Sequence, residues 1–168
     1  MNCPNCGAAM RMEAARECLV CDFCKTLHFP EPNADGVRVL GEPVETACPV
    51  CEEPLVLAAA AGERLLYCGR CRGLLIPMGS FVEIVRTLRA RHCQSAGKPA
   101  PVNPRDLERR LRCPHCGQPM HTHPYAGPGN IVIDNCPPCA VNWLDHSELR
   151  RIVRAPERTC QDDAWQLP

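Results

Sequence analysis

The sequence predicts a small, metal-bound, β-rich fold: three tandem units, each a β-hairpin with two Cys-x-x-Cys knuckles, the second and third each followed by a short α-helix. Three observations carry this expectation. Fifteen of the 168 residues are cysteine, a density that signals disulfides in a secreted chain and metal sites in a reducing compartment. Twelve of the fifteen fall in six Cys-x-x-Cys pairs, and the pairs group two by two. The chain opens Met1-Asn2-Cys3-Pro4-Asn5-Cys6, which leaves no room for a charged and then apolar leader. Its longest apolar stretch, Leu55 to Ala61, is far short of the roughly 20 residues a helical membrane span needs. A soluble, cytoplasmic protein whose thiols bind metal is the expectation.

The ligand sets follow from the spacing. Cys3/Cys6 go with Cys21/Cys24, Cys48/Cys51 with Cys68/Cys71, and Cys113/Cys116 with Cys136/Cys139, with 14, 16 and 19 residues between the pairs. A pair, a loop of roughly 15 to 20 residues and a second pair is the spacing of a four-cysteine zinc site. Two residues between thiolates let one tight turn present both sulfurs to a tetrahedral ion. Iron also accepts four sulfurs, and zinc is preferred as the commoner structural ion, giving three structural Zn2+ per chain.

The units repeat one another. Each opens Cys-Pro-x-Cys and continues to Ala9-Met10, Pro54-Leu55 or Pro119-Met120. A β-like run then enters the second pair: Cys18-Leu19-Val20, Leu65-Leu66-Tyr67 and Ile131-Val132-Ile133. Turn residues separate the strands, as in Ala61-Gly62-Glu63 and Gly127-Pro128-Gly129-Asn130. Each unit reads as a zinc ribbon. In the first, Cys18 aligns with Leu65 and Ile133, so it takes an apolar strand position and Cys21/Cys24 are the ligands. Cys93 and Cys160 stand outside any pair as ordinary thiols, a fourth site built from the three leftovers being the alternative.

The period then changes. Phe81, Ile84, Val85 and Leu88 recur at helical spacing behind Ser80-x-x-Glu83, a capping-box pattern. Asp145-x-x-Glu148 similarly precedes Leu149, Ile152 and Val153, with Pro156 as the stop. The resulting division is ribbon one at 1–30, a linker at 31–46, ribbon two with its helix at 47–92, and a Pro-rich linker at 93–103. A short basic helix, ribbon three and its helix occupy 104–156, and 157–168 is a tail. The expected arrangement is beads on a string.

Cys113-Pro-x-Cys116, Cys136-x-x-Cys139 and Trp143-Leu144-Asp145-His146-Ser147-Glu148-Leu149 resemble the transcription factor IIB-type zinc ribbon domain found in many small bacterial proteins. That family typically follows its second pair with Gly-Gly, an apolar residue and Trp-Leu-Asp-x-Gly-Glu-Leu. Here Ala140-Val141 replace the glycines and Ser147 the later one; ribbon two keeps Gly73 and Gly79 but has Leu75-Ile76-Pro77 in place of Trp-Leu-Asp. The resemblance spans roughly residues 46 to 155 and implies fold and metal more than activity. Ribbon one, with Leu27-His28-Phe29-Pro30, is similar to a generic rubredoxin-type ribbon.

Function is bounded by charge and chemistry. Nineteen basic residues balance nineteen acidic ones, but a four-thiolate zinc site carries a net charge of about −2. Three sites bring the chain to about −6, which removes net charge as an argument for nucleic-acid binding. Residues 1 to 65 hold 5 basic and 10 acidic side chains, whereas 86 to 112 hold 8 basic and 2 acidic. That stretch contains Arg86, Arg89, Arg91, Lys98, Arg105, Arg109, Arg110 and Arg112. It reads as a solvated helix face and linker, or as a phosphate-contacting patch with few aromatics for stacking.

His121, His123, His146, Asp134 and Asp145 could gather beside ribbon three for acid-base work. The preferred reading has the first two histidines lining a hairpin, Asp134 facing solvent, Asp145 capping a helix and Trp143 packing the helix on the ribbon. No nucleophile-base-orienter signature is present. The expectation is therefore a noncatalytic adaptor with a protein partner, with a transcription-related role through arginine contacts to nucleic acid as its variant. The alternative is a metal- or redox-responsive protein using Cys18, Cys93 or Cys160; a hydrolase ranks below both.

Overall fold

A computed structural model describes residues 1–92, 101–127 and 129–156. Cys93, Lys98, Cys160, most of the Pro-rich linker and the tail at 157–168 lie outside the described residues. Unit one contains β1 (Met10–Glu13), a turn of 3-10 helix (Ala14–Arg16), β2 (Cys18–Cys21) and β3 (Leu27–His28), which form a three-stranded antiparallel sheet in that order. Unit two contains β4 (Arg38–Ala47), β5 (Pro54–Ala60), β6 (Glu63–Tyr67), β7 (Leu74–Pro77) and the helix α1 (Met78–Arg91). Unit three contains α2 (Pro104–Glu108), β8 (His121–Pro124), β9 (Val132–Cys136), β10 (Val141–Leu144) and α3 (Glu148–Arg154).

Each hairpin forms where the repeat places it. Between β5 and β6, Ala61 (φ 53°) and Gly62 (φ 83°) are both left-handed, the two-residue connection whose twist matches the strands it joins. All three units share one register: Leu19 faces His28, Leu66 faces Leu75, and Asp134 faces Trp143. Apolar residues alternate along β7 and β10, so Leu74, Ile76 and Leu144 point to one face and Leu75 and Trp143 to the other.

The string of separate beads gives way to a continuous sheet. β7 and β10 pair antiparallel, Leu75 opposite Trp143 and Leu74 opposite Leu144. Units two and three thereby merge into one seven-stranded sheet of order β4-β5-β6-β7-β10-β9-β8. The helices cover one face together: Phe81, Ile84, Val85 and Leu88 of α1 join Leu149, Ile152 and Val153 of α3 in a single core. Arg89 donates to the carbonyls of Ile152 (2.6 Å) and Ala155 (2.9 Å), satisfying acceptors at the end of α3.

The expected linker at 31–46 is also corrected. Its second half belongs to β4, which pairs with β5 from Arg38 opposite Ala59 to Ala47 opposite Pro54. Buried Val37 and Leu40 explain why this segment packs rather than spans. Pro43 sits between two register irregularities on an outer strand, where a residue without an N–H is tolerated. Leu40 and Ala59 also pack with Ala14 and Leu19, which docks unit one on unit two. Glu17 reinforces that contact by accepting from the Gly62 amide (2.8 Å) and from Arg38 Nε (3.1 Å).

Both helix starts differ from the capping-box expectation. α1 begins two residues before Ser80, its Met78 amide bonds to the Ala140 carbonyl of unit three, and the Ser80 hydroxyl donates to Glu63 (2.6 Å). At α3 only the glutamate half forms: Glu148 Oε2 accepts from the Asp145 amide (2.7 Å). Ser147 precedes α3 at φ 70°, a left-handed position that accounts for glycine in the family pattern.

Trp143 is wholly buried and lies directly over Gly73 of unit two. A Cβ on Gly73 would stand 2.7 Å from Trp143 Cη2 and closer still to Cζ2. Gly73→Val is therefore expected to destabilise by roughly 1 to 3 kcal/mol through overpacking. Denaturant titration followed by near-ultraviolet circular dichroism of the tryptophan checks this, and a change below about 0.5 kcal/mol contradicts it.

Candidate metal centres

The twelve predicted cysteines are brought together as three groups of four: Cys3, Cys6, Cys21 and Cys24; Cys48, Cys51, Cys68 and Cys71; and Cys113, Cys116, Cys136 and Cys139. Local backbone chemistry builds the knuckles. Five of them repeat one pattern, in which the first cysteine's amide reaches the carbonyl five residues on and its own carbonyl accepts from the fourth residue. Cys48 N to Glu53 O (2.8 Å) and Glu52 N to Cys48 O (3.0 Å) are one instance. The turn closes on a left-handed residue, which is Gly7, Lys25, Glu52, Arg72 and Gly117 in the five. The sixth knuckle holds Pro137-Pro138, forms a 3-10 turn and closes on left-handed Ala140.

The donor sets fit a tetrahedral ion. Within each group the sulfurs all lie within 4.8 Å of one another. Facing sulfurs approach more closely, as Cys3 with Cys24 at 3.5 Å, Cys51 with Cys68 at 3.4 Å and Cys116 with Cys136 at 3.6 Å. Zinc-sulfur arms of about 2.3 Å require sulfur-sulfur edges of roughly 3.8 Å, close to what is seen. Backbone amides aim at the sulfurs too: Val50 N at Cys48 Sγ (3.4 Å) and Cys71 N at Cys68 Sγ (3.5 Å).

Crowding divides the thiols when protons alone neutralise them. Hydrogen bonds from the Thr26 side chain and backbone pull Cys24 down to about 5. Its opposite in the same group is Cys6, pushed up to about 12 against the pull of the Ala8 amide, chiefly by its contact with Cys24. A divalent cation resolves this conflict by stabilising all four as thiolates. Cys18 is fully buried on β2 and outside every group, in the apolar strand position its alignment indicated.

Sequence reasoning missed one polar cluster. Asp134, expected at the surface, is fully buried on β9 and paired with Arg109, which also pairs with Asp145. Asp134 occupies the position of Leu19 and Leu66 in the other units. Burying a carboxylate there requires a cation and a further donor, supplied by Arg109 and the Thr122 hydroxyl. Asp145 accepts from Trp143 Nε1 (3.1 Å) rather than capping α3 with its side chain. Histidine takes no part: His123 bonds to Asn135 and the Pro124 carbonyl, while His121 and His146 are exposed. An isolated signal was available, an Asp where the repeat has leucine.

The basic stretch is partly committed to the fold. Arg109 and Arg89 are used as described, and Arg86 pairs with Glu83 on its own helix. Arg91, Arg105, Arg110 and Arg112 remain exposed.

Residues 112–155 match the family described as transcription factor zinc-finger, the TFIIB-type zinc ribbon. This is about a quarter of the chain. No curated protein and no solved structure matches the sequence. Unit three thus matches a TFIIB-type zinc ribbon, and the shared register and cysteine tetrads extend the ribbon architecture to the other two units.

Cys18→Ala is expected to leave three metal ions per chain and Cys21→Ser to leave two, as read by elemental analysis of the purified proteins; three after Cys21→Ser would reassign the first site. Burial pushes the Glu148 carboxyl up from 4.5 to about 7, against the opposing pull of the Asp145 amide. The folded chain then keeps a proton that the unfolded chain releases, so this residue's contribution to stability declines as pH rises through that window. Glu148→Gln is expected to gain on the parent protein by of order 3 kcal/mol between about pH 5 and pH 8. Parallel denaturant titrations of the metal-loaded proteins test it, and a pH-independent difference contradicts it.

Proposed function

We propose that the chain is a noncatalytic, zinc-binding adaptor of the cytoplasm that presents its ribbon edges and helices to a protein partner, with a transcription-related role suggested by the family that unit three matches. The observation that carries this reading is the closure of all three donor sets. With every position of a tetrahedral ion taken by cysteine, the metal serves structure and leaves no open position for substrate. Zinc is the ion such a four-sulfur set most commonly holds.

The surface supports a protein partner. Val82 on α1, Val50 in a unit-two knuckle and Phe23 in a unit-one knuckle are exposed apolar side chains that a protein contact would remove from water. The arginines support nucleic acid less, because Arg89 and Arg109 are held by carbonyls and carboxylates of the fold. The redox-responsive alternative is weakened at Cys18, whose full burial denies it the exposure of a reactive thiol.

Fluorescence anisotropy with labelled duplex DNA and single-stranded RNA, at about 50 mM and about 200 mM salt, separates the two kinds of partner. The adaptor reading predicts weak binding with little salt dependence, together with a protein partner retained from the native host after nuclease treatment. Tight binding at low salt that drops by roughly 1000-fold, and falls further when Arg105, Arg110 and Arg112 are replaced by glutamine, would overturn it.

A further inference from the structure

The third strand of each ribbon is the same element in three settings. It follows a left-handed residue directly after the fourth cysteine, at Lys25, Arg72 and Ala140, and it pairs in the same register with the strand before it. In units two and three its outer edge pairs with its own equivalent. Leu75 and Trp143 correspond in the repeat and also face each other across the β7–β10 contact, with Leu74 opposite Leu144 and Ile76 opposite Asn142. That arrangement is an internal two-fold: one strand type, complementary to itself.

In unit one the corresponding strand, β3, has no such neighbour among the described residues and forms the outer edge of its sheet. Its sequence does not suit a solvated edge. Leu27 and Phe29 are 42% and 53% exposed, while their equivalents Leu74 and Ile76 are buried at 1% and 0%. From Thr26 to Pro30 there is no charged side chain, and charge is one of the usual means of blunting an exposed edge. Phe23, in the adjoining knuckle, is 83% exposed. Unit one also lacks the helix that covers this face in the other two units.

We propose that β3 is a self-association edge through which two copies of this chain pair antiparallel, repeating between chains the contact that β7 and β10 make within one. By the same register, His28 faces His28 of the second copy on the two-fold axis, and Leu27 faces Phe29 of the second copy. A second copy is the occupant because a two-fold contact needs a self-complementary patch, and this strand type pairs with its own equivalent elsewhere in the fold. The short strand makes the association weak and concentration-dependent. It uses the edge of unit one alone and leaves β4 and β8, the outer strands of the seven-stranded sheet, to the partner of the adaptor reading.

Sedimentation velocity of the metal-loaded full chain, from about 1 µM to about 1 mM, tests the proposal together with hydrogen exchange at both ends of that range. A monomer–dimer equilibrium is expected, with amides of residues 26–30 gaining protection as dimer forms. Phe29→Asp should weaken dimerisation by about tenfold or more while keeping three metal ions per chain. Should that variant lose metal, Leu27→Lys and the exchange map of the unaltered chain decide the matter. A monomer throughout, or a dimer whose protected amides lie outside β3, overturns the proposal.

Discussion

Twelve sulfurs drawn into three tetrads are the constraint on which the rest of this structure depends. A unit of about 30 residues buries too little apolar surface to hold its own fold, and a structural zinc site supplies about 10 to 16 kcal/mol of apparent binding free energy at neutral pH. The knuckles also set the strands. Each turn fixes where a strand leaves a cysteine and on which face its next side chain points, so the three hairpins share one register despite loops of different length. Core positions such as Leu55, Met120 and Trp143 then pack directly against the ligating cysteines.

Metal alone would leave three independent ribbons. The β7–β10 ladder changes that by turning two of them edge to edge, which lets α1 and α3 share one core and lets Arg89 of one unit close the helix of the other. Trp143 seals the joint from the opposite face, over a glycine that leaves room for its ring. The Arg109 cluster does comparable work for the segment leading into unit three: one guanidinium ties α2's continuation to β9 and to Asp145, the residue after β10. A stretch that reads as a basic patch in the sequence is, at this residue, a half-buried part of the fold.

What could be read from the sequence was local and periodic. The cysteine sets, the repeat, the β-runs at Leu65 and Ile133, the apolar stripe from Phe81 to Leu88 and the strand position of Cys18 all lie within a few residues of a knuckle or follow a helical period. The misses concern partners far apart in the chain. Nothing local to Leu74 or Val141 says that those strands meet, and Pro32, Gly36 and Pro43 disguise a strand as a linker. Asp134 reads as solvent-facing because its counterion lies 25 residues away. The capping boxes failed differently: Ser80 and Asp145 found better partners in Glu63 and in Arg109 with Trp143. Tertiary contacts there outbid a local pattern.

The central claim is that metal-held ribbons two and three form one cooperative body. Hydrogen exchange followed through a chelator titration tests it most directly, reading the amides of β7 and β10 against metal content. The account predicts that both strands lose protection together, at the first metal lost from either unit. Protection of β10 that survives complete loss of metal and structure from unit two would contradict it, and would return the molecule to separate beads.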